Sequence, residues 1–339
     1  MPASAFDLVP AAQRDIAQAD LTSAFGAAPI AALQPVTGGA SGALTYRADI
    51  SGRAYLLRLE TRRSPMRNPH QYACMKIAAD ARVAPPLHYV DDIAGVAIMD
   101  FLPQRALTEY PGGPQALARA CGELIAHLQD TPLFPQFLDY FAILSRMLAY
   151  LRGSGMFAPG LLDPHMEGFE RISAAYPKDA AAHVSSHNDP NPRNIVFDGE
   201  RLWLIDWETA YRNDPLVDVA ILLDQLATTP DAEAALLQAW FGRTPDSALR
   251  ARLVLMRPLT RLYYAGLMLS GFAAAPRERP DASLDAPTPD EFRAAFEQGR
   301  LKPTAPETLY ILGKMQLAGF LAGLAAPGFA QALIVARNG

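Results

Sequence analysis

The chain has 339 residues, half of them hydrophobic and 19% charged, with a formal net charge of −5. That balance argues against nucleic acid as a partner, because phosphate backbones are met by clustered Lys and Arg, and the length exceeds what one small core organises, so two domains or lobes are expected. The two cysteines, Cys74 and Cys121, lie in helix-like apolar patterns and read as buried free thiols, not as a disulfide framework.

The opening residues, MPASAFDLVPAAQRDIAQAD, show no basic stretch followed by an apolar core. No signal peptide is expected, and a reducing cytoplasm is the expected compartment. Residues 11–33 are alanine-rich and read as a leading helix. LTYRADI (44–50) then alternates, with Leu44, Tyr46, Ala48 and Ile50 on one face and Thr45, Arg47 and Asp49 on the other, which is the period of a strand. SGR (51–53) supplies a turn and AYLLRLE (54–60) a returning strand. Residues 71–81 read as a helix, and PPLHYV and GVAIMDFL as two further strands around DDIAG. Residues 34–102 are therefore a mostly antiparallel sheet with one inserted helix.

The Pro/Gly-rich PQRALTEYPGGP (103–114) marks the boundary between an N-terminal lobe, 1–102, and a mainly helical lobe, 103–339. Helices are expected over 115–130, 137–152, 163–175, 215–228, 231–241, 245–272 and 305–325. The run 273–292, with four prolines and several acids, is expected to be a loop, plain or acting as a lid. Met315–Val335 carries no charge and approaches the roughly 20 apolar residues that span a bilayer. Pro327 and Gly328 interrupt it and Gln316 and Gln331 are polar, so two short buried helices and no membrane span are expected.

One stretch departs from this pattern: SSHNDPNPRNIVFDGERLWLIDWE, residues 185–208. Pro190 and Pro192 forbid a regular helix or central strand, so HNDPNPRN is a stiffened loop. IVF and RLWLI around Asp198-Gly199 form a hairpin, which brings Asn194 and Asp206 to neighbouring strand ends. An amide oxygen beside a carboxylate is a hard-oxygen pair suited to Mg²⁺, and Asp189 is left on the loop to face a substrate. Phosphoryl transfer needs this set. Two other readings stay open: half of a metal-hydrolase site built on His187 and Asp189, and a capped hairpin with solvated polar groups.

HNDPNPRN followed by LIDWE resembles the paired motifs of the choline kinase and aminoglycoside phosphotransferase group, within the protein-kinase-like superfamily. The protein-kinase form is HRDxxxxN followed by DFG; in this group the pair reads HxDxxxxN followed by IDxE, matched at His187, Asp189, Asn194, Ile205, Asp206 and Glu208. The resemblance implies a two-lobe α+β fold, ATP as co-substrate, Asp189 as catalytic base, Asn194 and Asp206 as Mg²⁺ ligands, and a structural role for His187. Asp218, in DPLVDVA, is implied as a loop-bracing carboxylate, and Asn191 as a nucleotide contact.

A kinase-like fold also calls for a glycine-rich turn, offered by Gly38, Gly39, Ser41 and Gly42, whose backbone N–H groups could meet phosphates. It resembles the GGxSN turn of choline-kinase-like proteins, with Gly42 replacing the Asn. The phosphate cation falls on Arg58, similar to the LLRL of choline and ethanolamine kinases. Gln71, with Ala73 as the other candidate, occupies the place of the helix glutamate that normally pairs with that cation. An Arg58–Gln71 hydrogen bond then replaces the ion pair, or the pair is absent. This keeps a catalytically weak, regulatory nucleotide-binding protein as the alternative. AIMDFLP (97–103) is implied as the hinge, with adenine meeting backbone near Asp100 and Leu102 and Met99 behind it. The reaction implied is γ-phosphoryl transfer to a hydroxyl of an amino alcohol such as choline, or of an aminoglycoside-like metabolite. Acceptor candidates are Glu208, Trp207, Tyr211, Tyr263 and Tyr264, with Trp240, since aromatics beside a carboxylate suit an amine. The acidic 273–292 run would suit a cationic acceptor if it closes.

Overall fold

The computed structural model describes residues 5–36, 43–61, 68–275, 278–303 and 305–338. Their contacts divide into two compact units, Met1–Phe137 with Val184–Arg212 and Gln225–Gly242, and Leu138–His183 with Asn213–Asp224 and Arg243–Gly339. The expected lobes are cut once, at 102/103; these units are discontinuous in sequence, and the loop at 187–194 belongs to the same unit as the N-terminal sheet.

In the first unit, helix α1 (Ala11–Phe25) precedes a five-stranded antiparallel sheet. Its strands are β1 (Ile30–Pro35), β2 (Ala43–Ile50), β3 (Arg53–Glu60), β4 (Leu87–Asp91) and β5 (Val96–Asp100), in the order β1-β2-β3-β5-β4. The leading helix is thus shorter than the 11–33 expected: Gly26, at φ 65°, ends it, and β1 follows. The expected alternation holds in β2, where Tyr46, Ala48 and Ile50 are buried. They join Leu57, Leu59 and Ile98 and the α1 residues Ala17 and Leu21 in one core. Arg58 lies on the opposite face of β3 from Leu57 and Leu59, in register with Ala97 of β5. The inserted helix, α2 (Gln71–Asp80), packs on the segment Trp207–Thr209. Helix α3 (Gly113–Gln129) completes the unit's N-terminal run.

Helices α4 (Tyr140–Gly153) and α5 (Asp163–Ala175) belong to the second unit. The chain then returns through β6 (Val184–Ser186), the loop, and the hairpin of β7 (Ile195–Phe197) and β8 (Leu202–Leu204), before β9 (Tyr211–Asn213). Helix α6 (Leu216–Gln225) is followed by α7 (Pro230–Phe241), which lies so close to α3 that a Cβ on Gly122 would stand 2.5 Å from the Leu236 carbonyl. The rest of the second unit is α8 (Ser247–Ala273), α9 (Pro289–Glu297), α10 (Pro306–Ala325) and α11 (Phe329–Asn338). A mixed chain with an antiparallel N-terminal sheet and a helical C-terminal part is the fold expected of a protein-kinase-like protein.

Two expectations in this unit change. The 273–292 run is not loop throughout, because α9 begins at Pro289 behind a capping box in which Thr288 and Glu291 bond each other's backbone N–H. Met315–Val335 does split at Pro327-Gly328, but α10 is 20 residues long and only 22% of its most apolar window is buried. By length and composition it is the one helix among the described residues long and apolar enough to cross a membrane. Glycines seat it against α8: a Cβ on Gly313 would meet Leu269 at 2.5 Å and one on Gly323 would meet Pro258 at 3.1 Å.

Candidate active site

The loop forms because its own side chains hold it. Asn191 accepts from the Arg193 N–H at 2.9 Å through Oδ1, and Pro192 and Asn194 continue as a short 3₁₀ turn. Asn188 is in the left-handed region, φ 63°, and its Nδ2 donates to the Thr209 carbonyl at 2.9 Å and the Tyr211 carbonyl at 3.3 Å. The hairpin that follows is tied by the Ile205 N–H donating to the Asn194 carbonyl at 2.9 Å. At its turn, Asp198 accepts from the N–H groups of Glu200 and Arg201, both at 2.8 Å.

These elements converge on Asp189. Its carboxylate accepts from Asn191 Nδ2 at 2.8 Å and from Asn194 Nδ2 at 3.1 Å, and Asn194 also bonds the Asp189 carbonyl at 2.9 Å. With both ends of its amide engaged on the loop, Asn191 braces Asp189. Asn194 uses its Nδ2 as an anchor, which fixes the orientation of its amide. Asp206 follows β8 in the left-handed region, φ 66°, a conformation that costs energy for a residue with a Cβ. Its Oδ1 is buried and no described residue donates to it. Burial pushes the Asp206 carboxyl above the ordinary carboxylate range; Arg58 and His187 act against that rise, and the charge of Asp189 adds to it. Asp206, Asp189 and Arg58 are therefore near enough for their charges to couple.

His187 is fully buried, and burial drives its pKa down to about 4, against the opposing pull of the Ile205 carbonyl and Asp206. It is neutral near pH 7, so the ring nitrogen Nε2 donates to the Ile205 carbonyl, 2.9 Å away, and holds the strand before Asp206. Trp207 covers the other side, its ring 4.8 Å from the imidazole.

Arg58 is 7% exposed. Burial works against its charge, but Glu208, Tyr72, Asp206 and Glu60 outweigh it and hold the guanidinium above its ordinary value. Nη1 pairs with Glu60 Oε1 at 3.2 Å and Nη2 pairs with Glu208 Oε1. The expected Arg58–Gln71 hydrogen bond is replaced: Gln71 Nε2 donates to Glu60 Oε1 instead, and the Tyr72 hydroxyl joins it there at 2.9 Å. Gln71 turns the N–H end of its amide to Glu60 Oε1, the oxygen that Arg58 Nη1 also uses, so the carboxylate stands between the amide and the guanidinium. Sequence reading passed over Glu60; its signal was its place two residues after Arg58, on the same face of a strand.

The remaining candidates are placed less uniformly. Gly38, Gly39, Ser41 and Gly42 lie outside the described residues. Met99 is buried in β5. The Asp100 N–H donates to the Pro86 carbonyl at 2.9 Å, so of the two expected hinge residues only Leu102 keeps a backbone N–H that no described residue takes. Asp218 is fully buried in the first turn of α6 in the second unit. The aromatic acceptor candidates are corrected to core: Trp207 and Tyr211 are each 2% exposed, Tyr263 6% and Tyr264 8%, which leaves them little surface for a ligand. Trp240 donates to Gln129 at 2.8 Å. Glu208 alone of that group is open, with 44% of its side chain exposed.

The residues present fit a divalent cation. Asp206 Oδ1 is a buried carboxylate oxygen with no donor, and Asn194 Oδ1 is an amide oxygen on an anchored side chain. Mg²⁺ is typically held by one or two such protein oxygens together with substrate phosphates. Among the described residues no group of three or more His, Cys, Asp or Glu side chains is arranged to hold a metal, so the metal-hydrolase reading finds no second set of ligands there.

The model of the phosphotransferase enzyme family (APH) matches residues 32–253. Protein LicA of Haemophilus influenzae is 30% identical over 112 residues, 33% of this chain and 31% of that protein, so the match spans about a third of the length of this curated relative. A choline/ethanolamine kinase family protein from Mesorhizobium loti superposes with a TM-score of 0.68 at 22% identity, covering 96% of this chain and 99% of that one. Choline kinase LicA from Streptococcus pneumoniae superposes with a TM-score of 0.62 at 14% identity, over 93% and 99%. At these identities the two structures speak to the fold.

Proposed function

The chain belongs to the phosphotransferase enzyme family, and on that premise we propose that it is a small-molecule kinase that moves the γ-phosphoryl group of ATP to a hydroxyl, an amino alcohol such as choline being the favoured acceptor. The observation that carries this reading is the pairing of a braced Asp189 carboxylate with the donor-less Oδ1 of Asp206. Asp189 orients the acceptor hydroxyl and takes its proton as the oxygen attacks the γ-phosphorus and the bond to the β–γ bridging oxygen breaks. Asn191 and Asn194 fix the direction of that carboxylate, which supplies positioning. Asn194 and Asp206 would hold Mg²⁺, which when bound neutralises charge on the β- and γ-phosphate oxygens. Arg58 supplies a second positive charge; its Nη2, now on Glu208, is the group that a phosphate oxygen would take. Glu208, half exposed and next but one to Asp206, is the carboxylate available to attract an amine.

The amino-alcohol acceptor is supported by the choline and ethanolamine kinases among the structural relatives and by that open carboxylate. The alternative, a weak regulatory nucleotide binder, was motivated by the missing helix acid, and the Glu60 carboxylate on Arg58 removes that motive. The test is ATP consumption measured across a panel of amino alcohols, aminoglycosides and sugars, with Asp189→Asn as control. One acceptor class is expected to stimulate consumption, and the variant to lose on the order of 10²-fold or more. Equal rates for variant and parent would remove the enzymatic reading.

A further inference from the structure

We propose that Glu60 is the positioning residue for Arg58, a strand-borne acid that takes over the work of the helix glutamate in kinase-like sites. The inference rests on the reading of Arg58 as a phosphate ligand. In protein kinases the phosphate-binding cation of the third strand is aligned by an acid on the neighbouring helix. Here the helix position holds Gln71, which has no charge to offer. The acid stands instead on β3, two residues beyond Arg58 and on the same face, about 7 Å away along a strand.

Three donors meet at Glu60 Oε1: Arg58 Nη1 at 3.2 Å, Gln71 Nε2, and the Tyr72 hydroxyl at 2.9 Å. The two side chains from α2 fix the carboxylate, and the carboxylate fixes the guanidinium. All of this is buried, with the side chains of Arg58 and Glu60 8% and 10% exposed and Gln71 2% exposed. The chain also keeps space for it. Gly95 is at φ 80°, and a Cβ there would stand 2.9 Å from Glu60 Cβ.

The arrangement divides Arg58 between two carboxylates with different surroundings. Nη1 is on buried Glu60, and Nη2 is on Glu208, which solvent reaches. The pair to Glu208 is the one a phosphate can displace, since that carboxylate reaches solvent and can turn out into it; the pair to Glu60 keeps the guanidinium in place while that happens. Because acid and arginine share a strand, they move together. A shift of α2 would withdraw Gln71 and Tyr72 but leave the ion pair, so α2 has a smaller hold on the site than it would if it carried the acid.

The experiment is calorimetric titration of ADP into the full chain and into Glu60→Gln, Gln71→Leu and the exchange variant Glu60→Gln/Gln71→Glu, with KM for ATP and kcat measured in parallel. Glu60→Gln is expected to weaken ADP roughly tenfold or more, because a charge-assisted bond becomes a neutral one. KM for ATP should rise while KM for the acceptor stays put. Gln71→Leu should lose less than Glu60→Gln. The exchange variant, with the acid moved to the helix, should recover most of the affinity, which a merely structural Glu60 would not allow. ADP binding by Glu60→Gln equal to that of the parent, or an exchange variant no better than Glu60→Gln, would overturn the proposal. If Glu60→Gln fails to fold, the decision passes to Glu60→Asp, whose shorter side chain withdraws the carboxylate from Arg58 Nη1, and unchanged ADP affinity there overturns it. A parent chain that binds no ADP would instead bring down the kinase reading, and this inference with it.

Discussion

Both compact units bury carboxylates against arginines, and they do so to different ends. In the second unit Asp214 is matched at both oxygens: Oδ2 accepts from Tyr176 at 2.9 Å and Arg252 at 3.0 Å, and Oδ1 from the Leu216 N–H at 2.8 Å. Asp224 is matched likewise, by Arg257 at 2.7 Å and Arg261 at 2.6 Å. In the first unit Asp206 is partly buried, with its Oδ1 buried and unmatched, beside a loop in which Asn191 and Asn194 hold Asp189. A satisfied buried network fixes a fold; a buried oxygen with no donor beside a satisfied network is a vacancy in the hydrogen bonding that a ligand can fill. An unmatched oxygen alone does not make a site, since Asp20 Oδ2 on α1 is equally bare. Asp206 is set apart by the charges of Arg58 and Asp189 acting on it and by the anchored Asn194, whose carbonyl accepts from the neighbouring Ile205 N–H.

That contrast can be broken by one pair of substitutions. Asp214→Ala removes the acceptor of a half-buried arginine and a buried tyrosine, and is expected to cost about 2–3 kcal/mol of stability, toward the low end for a buried ion pair because solvent reaches Arg252. Asp206→Asn removes an unmatched buried charge, so the ligand-free protein is expected to be as stable as the parent or slightly more so. Urea unfolding of both variants checks the sign. Equal destabilisation would mean that Asp206 is a structural acid like Asp214.

A smaller effect separates the site's neutral histidine from its surroundings. His187 has a folded pKa of about 4 and an unfolded value near 6.5. Between those values the unfolded chain binds the extra proton, so stability rises as pH rises from about 4 to about 6.5 and is level above that, as far as this residue is concerned. The melting temperature of the parent should therefore fall more steeply on acidification through that window than that of His187→Gln. Parallel curves would show that burial does not hold the imidazole neutral.

How much of this could be read beforehand depended on whether the signal was local. The β2–β3 hairpin was legible because Tyr46, Ala48 and Ile50 alternate. The loop and hairpin that carry Asp189, Asn194 and Asp206 were legible because prolines and an Asp-Gly turn leave the backbone few choices. β1 was not: IAALQP has alanines where a strand would show alternation, and a helix expected over 11–33 runs past Gly26, where the chain in fact turns, and into the strand. The α9 start was written in Thr288 and Glu291 and was passed over among prolines. The aromatic residues misled for a different reason. Core and pocket aromatics have the same spacing along a helix, and only packing tells that Tyr263 and Tyr264 are covered. Glu60 was legible as an acid on the same strand face as Arg58, but its bonds to Gln71 and Tyr72 were not, because they depend on where α2 lies against β3.

The most direct test of the central claim is the magnesium dependence of nucleotide binding, measured by titrating ADP into the parent and Asp206→Asn with and without Mg²⁺. The parent should bind ADP more tightly with the metal than without it, and the variant should bind equally in both conditions. A variant that keeps the parent's full magnesium dependence would contradict the assignment of Asp206.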